Sequence, residues 1–186
     1  MSARDLLPVA AARFGEVVYA VPADRWGAPT PCTQWSVRDV LNHVVAEHLW
    51  VPYLLGGGTV AEAGDRFDGD MLGSDPVRAW DEAIGESLSA WQDVTDETPV
   101  ALSRGETPAG DYAAEMLLDL TVHAWDLARG AGVDDRLERR SVAASLGFAE
   151  AHAPEWAHSG MFAEPVDADT DDPQDRLLAL LGRDPR

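Results

Sequence analysis

Asp119 and His123 stand four residues apart in EMLLDLTVHAWDLARG, which puts a carboxylate and an imidazole one helical turn apart on the same face. Met116, Leu120 and Leu127 share that face, so both polar groups point toward apolar packing, where an uncompensated charge is costly. A metal ion would compensate it. A second apolar stretch, WSVRDVLNHVV, carries His43, which would add a third ligand if the two helices are neighbours. Two imidazoles and one carboxylate leave a metal with open positions for a substrate or a thiol. The competing reading is a helix-surface hydrogen bond, or a core histidine satisfied by a carboxylate, because such pairs are common in helices.

Other candidates divide in the same way. Asp126, three residues beyond His123, either orients that imidazole as an outer acceptor or pairs with an arginine such as Arg129. Glu47, one turn after His43, is a fourth ligand, a base, or part of a solvated face; Glu115, a turn before Asp119, is equally ambiguous. His48 reads as a partly exposed helix residue, and His152 and His158 have no partner at ligand spacing. Cys32 has nothing basic nearby in sequence to lower its pKa, so it reads as a small buried loop residue. Trp50, Trp80 and Trp91 fall on helical stripes and read as core. Asp68 and Asp70 lack the remaining spacing of a calcium loop, which favours turn chemistry. The chain contains neither a phosphate-binding glycine motif nor a nucleophile elbow.

The elements that must position these residues read as helices almost throughout. Leu6, Leu7, Ala10, Phe14, Val17, Val18 and Val21 recur at helical spacing, with a capping box at Ser2 and Asp5 and a stop at Pro22. A second helix starts at Ser36, capped by Asp39 and stapled by Trp35 and Val40, and runs out at Gly56-Gly57-Gly58. Residues 57–75 read as a long loop that would help form a substrate mouth. Asp75-Pro76 opens a third helix with its stripe on Val77, Trp80, Ile84, Leu88 and Trp91. Thr95 to Gly105 reads as a connector. Pro108 opens the fourth helix, which Arg129-Gly130 closes. A weaker helix from Arg140 to about Ala153, an acidic solvated loop and a short terminal helix, DRLLALLG, complete an all-α chain. Four long helices with these connections allow a four-helix bundle.

A length of 186 residues predicts one domain, residues 1–186, with enough chain for a sizeable core. A formal net charge of −19 argues against nucleic acid or an anionic membrane as partner. The single cysteine suits a reducing cytoplasm, and the N-terminus lacks the apolar run of a signal peptide. No segment approaches the ~18 apolar residues of a membrane span.

Four segments taken together, PCTQWSVRDVLNHVV, DGDMLGSDP, LLDLTVHAWDLARG and DRLLALLGRDP, resemble actinobacterial proteins of the mycothiol-dependent maleylpyruvate isomerase N-terminal type. These belong to the DinB/YfiT-like metal-binding superfamily, and the resemblance covers essentially the whole chain in order. It implies a DinB-like four-helix bundle, here with additional C-terminal helices. It also implies a divalent metal, zinc or nickel, held by side chains of the second and fourth helices. His43 and His123 match the family's histidines, and Asp119 falls where the isomerase has a glutamate, one methylene longer. The resemblance does not extend to the separate C-terminal domain of the full isomerase, which this sequence is expected to lack.

The expected function is a metal-dependent transferase or isomerase that uses a thiol, by resemblance mycothiol, on a small-molecule electrophile. The alternative is a non-catalytic helical module, a ligand sensor or a dimerisation scaffold, for which a homodimer would be the working assembly. A third reading makes Asp119 and His123 a buried ion pair without metal.

Overall fold

The computed structural model describes residues 1–156 and 162–186. His158 lies outside the described residues. Helix α1 (Ala3–Ala20) and helix α2 (Val37–Leu55) each begin with the expected reciprocal capping box, Ser2 with Asp5 and Ser36 with Asp39. Helix α3 (Val60–Ala63) is a single turn inside the segment that reads as a long loop, started by its own capping box at Thr59 and Glu62. Helix α4 (Pro76–Ala90) is capped by Asp75 with Pro76 in its first turn, and a 3-10 turn at Trp91–Asp93 follows.

The expected connector folds instead as a hairpin of β1 (Pro99–Leu102) and β2 (Gly105–Pro108), paired antiparallel with Val100 opposite Thr107. Four-residue strands are too short to leave a legible alternation, and a proline bounds the pair on each side. The hairpin leads directly into helix α5 (Ala109–Ala131). The first N–H groups of α5 are satisfied by the carbonyls of Thr98 and Asp96 rather than by a side chain. Helices α6 (Arg139–Trp156) and α7 (Pro173–Leu180) complete the chain.

Helices α1, α2, α4 and α5 form the four-helix bundle. Helix α1 packs against α4 and α5, and α2 packs against the same two, so α1 and α2 take opposite corners. Helix α6 covers α5 and α1 from outside, and α7 packs on α6. Helix α5 therefore has protein on almost every side, which is why 17 of its 23 residues are buried. Phe14, Val40, Leu41, Val44, Leu120 and Leu127 are fully buried at the bundle centre. Among the described residues, no helix is long and apolar enough to cross a membrane.

Two expectations about helix faces are corrected by packing. The deepest residues of α4 are Trp80, Ala83 and Ser87, with Val77, Ile84 and Leu88 at the margin of the core. Helix α5 does not stop at Gly130 but runs to Ala131 and ends on Gly132, whose φ of 75° is the left-handed cap conformation. Gly130 is glycine because another segment presses on it. A Cβ there would stand 2.7 Å from Thr30 Cγ2, 2.8 Å from Val37 Cγ2 and 3.1 Å from the Pro29 carbonyl. Gly130→Ala is expected to lose about 1–2 kcal/mol, because overpacking outweighs the ~1 kcal/mol gained in helix propensity. Urea denaturation of the two proteins measures the difference.

Candidate metal centre

The close approach at Gly130 holds the Pro29–Ser36 segment against α5. Within it the Trp35 N–H donates to the Cys32 carbonyl at 3.0 Å, and Gln34 takes a φ of 77°. The Thr30 N–H and hydroxyl both donate to the Trp35 carbonyl. This tight turn lays the Trp35 ring over two imidazoles, 4.9 Å from that of His43 and 5.8 Å from that of His123. From sequence Trp35 reads only as a helix staple.

Beneath Trp35, α2 and α5 bring three expected residues together. Asp119 Oδ1 lies 3.2 Å from His43 Nε2 and 3.3 Å from His123 Nε2. The three donor atoms all lie within 4.8 Å of one another. Two donors each ~2.0–2.1 Å from a tetrahedral zinc ion stand roughly 3.4 Å apart, so the spacing fits a small divalent cation. The shorter acid reaches the group because α2 and α5 are in direct contact. Glu47 stands outside this set.

Asp126 supplies the orientation. It is fully buried, and its Oδ2 accepts from His123 Nδ1 at 2.9 Å. The Nδ1 proton is thereby committed, and Nε2 turns toward Asp119 and His43. Asp126 also pairs with an arginine, but the partner is Arg183, at 2.9 Å, and not Arg129. Arg129 instead bonds Asp135 and the Arg186 carbonyl. No local sequence signal joins Asp126 to a residue 57 positions away.

The electrostatics follow from this sandwich. Burial works against a charged His123, but Asp119 and then Asp126 outweigh it and raise its pKa to about 9. Burial likewise opposes ionisation of Asp119, and the His123 and His43 imidazoles overcome it, holding the carboxyl well below its usual range. Burial, then the nearby Asp119 carboxylate, raises the pKa of Glu47. Burial also pushes the Cys32 thiol up, with Asp126 adding to it, although its sulfur lies within 4.8 Å of donor atoms of His123 and Asp126. Glu115 is committed to an ion pair with Arg104.

The loop beside the site is pinned to α2. Asn42, the neighbour of His43, donates to the Gly69 carbonyl at 2.8 Å and accepts from the Met71 N–H at 2.7 Å. Asp70 accepts from Arg38 and from the Leu72 N–H, which is turn chemistry. Further along α2, Trp50 and Tyr53 pack with Phe67 from this loop, and Arg66 lies over the Tyr53 and Phe67 rings. His152 stands apart from the site and bonds the Phe148 carbonyl within its own helix.

His48 is a correction. Its side chain is buried, because α4 covers that face of α2, and Nδ1 sits 2.9 Å from the Ser87 hydroxyl. Burial pushes its pKa down to about 4. Above the unfolded value of ~6.5 the group is neutral in both states. As pH falls from there toward 4, only the unfolded chain takes the proton, so stability is lost by about 1.4 kcal/mol per pH unit. Between pH 7 and pH 5, wild type is expected to lose about 2 kcal/mol more than His48→Gln in urea denaturation.

The geometry can be set beside known proteins. The chain is 29% identical over 173 residues to two uncharacterized proteins from two strains of Mycobacterium tuberculosis, covering 91% of each partner in the comparison. A crystal structure of a mutant of the mycothiol-dependent maleylpyruvate isomerase superposes with a TM-score of 0.62 at 16% identity. That match covers 85% of this chain and 71% of the other, and it establishes the shared all-α, DinB-like fold. The sequence profile named for the mycothiol maleylpyruvate isomerase N-terminal domain matches residues 7–128, a range that contains His43, Asp119 and His123. A profile match over most of the chain, on a bundle of the same fold, makes this protein a member of the mycothiol maleylpyruvate isomerase N-terminal domain family.

Proposed function

We propose that the chain is a cytoplasmic, single-domain protein that binds one divalent cation, zinc or nickel, and uses mycothiol in an isomerase- or transferase-type reaction on a small electrophile. The observation that carries this reading is the convergence of His43, Asp119 and His123 under Trp35. These three residues would hold the cation, which when bound supplies Lewis acidity and lowers the pKa of a thiol. Asp126 keeps the His123 proton on Nδ1 so that Nε2 serves as the donor. Trp35 shields one side from water. Glu47, half-buried one turn beyond His43 with no hydrogen bond among the described residues, is the uncommitted carboxylate on this face and would accept the thiol proton. The loop of residues 57–75, pinned to α2 by Asn42, would border the substrate mouth. The net charge of −19 fits a small-molecule partner and neither nucleic acid nor an anionic membrane.

Metal analysis after reconstitution with zinc or nickel tests the first half of this proposal, and protein that retains neither ion refutes it. Incubation of the loaded protein with mycothiol and a panel of electrophiles tests the second half. Thiol consumption, for a transferase, or thiol-dependent isomerisation of the electrophile with the thiol regenerated, for an isomerase, is the expected outcome, and either disappears in His123→Ala.

A second reading draws on the same carboxylate. Asp119 Oδ1 is already within hydrogen-bonding distance of both imidazoles, so the site is satisfied without a cation. In that case the bundle is a non-catalytic module, a ligand sensor or a homodimer scaffold, built around a structural ion pair. Thermal stability unchanged by chelators, or ligand-induced stabilisation without turnover, would favour it.

A further inference from the structure

We infer that Arg183, beyond the family-matched residues 7–128, is a positioning residue for the metal centre and acts through Asp126 on His123. The inference rests on the proposed metal binding. Helix α7 ends in a tight reversal. The Gly182 N–H donates to the Ala179 carbonyl at 3.0 Å and the Arg183 N–H to the Leu178 carbonyl at 2.9 Å, the double bond of a Schellman turn. Gly182 has a φ of 79°, and a Cβ on it would stand 2.6 Å from the Ala163 Cβ, so no other residue fits there without displacement.

That reversal sends the Arg183 side chain inward, where it is 8% exposed. Its guanidinium spans three acceptors. Nη2 donates to Asp126 Oδ2 at 2.9 Å, Nε approaches Asp126 Oδ1 at 3.4 Å, and Nη1 donates to the Leu181 carbonyl at 3.0 Å. Both oxygens of Asp126 thus face a planar fork, which fixes the plane of the carboxylate. Oδ2 is shared between Arg183 and His123 Nδ1, so the fork decides where the imidazole points. Nε2 then faces Asp119 and His43. The chain of contacts runs from the turn after α7, through α5, to the ligand group between α5 and α2. A lysine offers a point charge in place of the fork and would hold the carboxylate's charge without its plane.

Arg183→Met, Arg183→Lys and, as a control on helix α7, Arg176→Met are made in the full chain; Arg176 pairs with Glu150 at the surface. Zinc affinity is measured by competition with a chromophoric chelator. The cobalt-substituted absorption spectrum and the His123 Nδ1–H resonance of the zinc form report ligand geometry. Arg183→Met is expected to bind zinc about 10–100-fold more weakly, with a changed cobalt spectrum and an exchange-broadened Nδ1–H signal. Arg183→Lys should recover part of the affinity, and Arg176→Met should match wild type. If Arg183→Met does not fold, Arg183→Lys decides, with weakened zinc binding and an altered cobalt spectrum expected. Zinc affinity and cobalt spectrum equal to wild type in a folded Arg183 variant overturn the inference and leave metal binding intact. Wild type that binds no zinc or cobalt overturns the underlying reading and this inference with it.

Discussion

His123→Ala is expected to abolish stoichiometric binding of zinc or nickel, with an affinity loss of about a thousand-fold or more. Outer partners of metal ligands alone are worth about 10–100-fold, and this substitution removes a ligand outright and leaves the Asp126 carboxylate without the imidazole it orients. His123 is the least exposed of the three donors, its side chain being 10% exposed against 27% for His43 and 29% for Asp119. His43→Ala should therefore be milder than His123→Ala, since water can occupy the more exposed position. Asp119→Ala should fall between them, because it removes the only negative ligand but leaves both imidazoles in place. Competition against a chromophoric chelator measures all three variants. An affinity for His123→Ala within tenfold of wild type would take His123 out of the ligand set.

Asp126→Ala is expected to be the most destabilising single substitution at the site, at about 3–5 kcal/mol even in metal-free protein. The residue is fully buried between two partners that carry or share positive charge. Its removal leaves the 8%-exposed Arg183 guanidinium without a carboxylate and His123 Nδ1 without an acceptor. The cost is the stranded cation more than the lost bonds. The double variant Asp126→Ala/Arg183→Met should consequently recover part of the loss, although it removes more of the native structure. In a chain of this size, 3–5 kcal/mol corresponds to a drop of roughly 8–15 °C in Tm. Additive effects in the two single variants and the double variant would show that the pair contributes no coupling.

The candidate site was legible in unequal parts. Asp119 and His123 share a turn of one helix, so their alignment follows from spacing alone. His43 lies 76 residues from Asp119, and only the contact between α2 and α5 brings its Nε2 to 3.2 Å. Asp126 offered two readings, an orienting acceptor for His123 or the partner of an arginine. The structure realises both at once, with an arginine from a turn that local pattern could not connect to it. His48 reads as partly exposed yet is buried, because helical periodicity shows which residues lie on one side of α2, not whether α4 covers that side.

The sequence by itself determined the all-α architecture, the four helices of the bundle and the capping boxes that start α1 and α2, because these depend on contacts within three or four residues; α6, read as a weaker helix, proves as long as α1. It also placed the carboxylate and imidazole of Asp119 and His123 on one stripe. The tertiary structure decided what surrounds that stripe: Trp35 above it, His43 opposite, Asp126 and Arg183 behind, and the hairpin where a plain connector was expected. Those relations join residues tens of positions apart, and they exist only once burial of apolar surface has fixed which helices are neighbours.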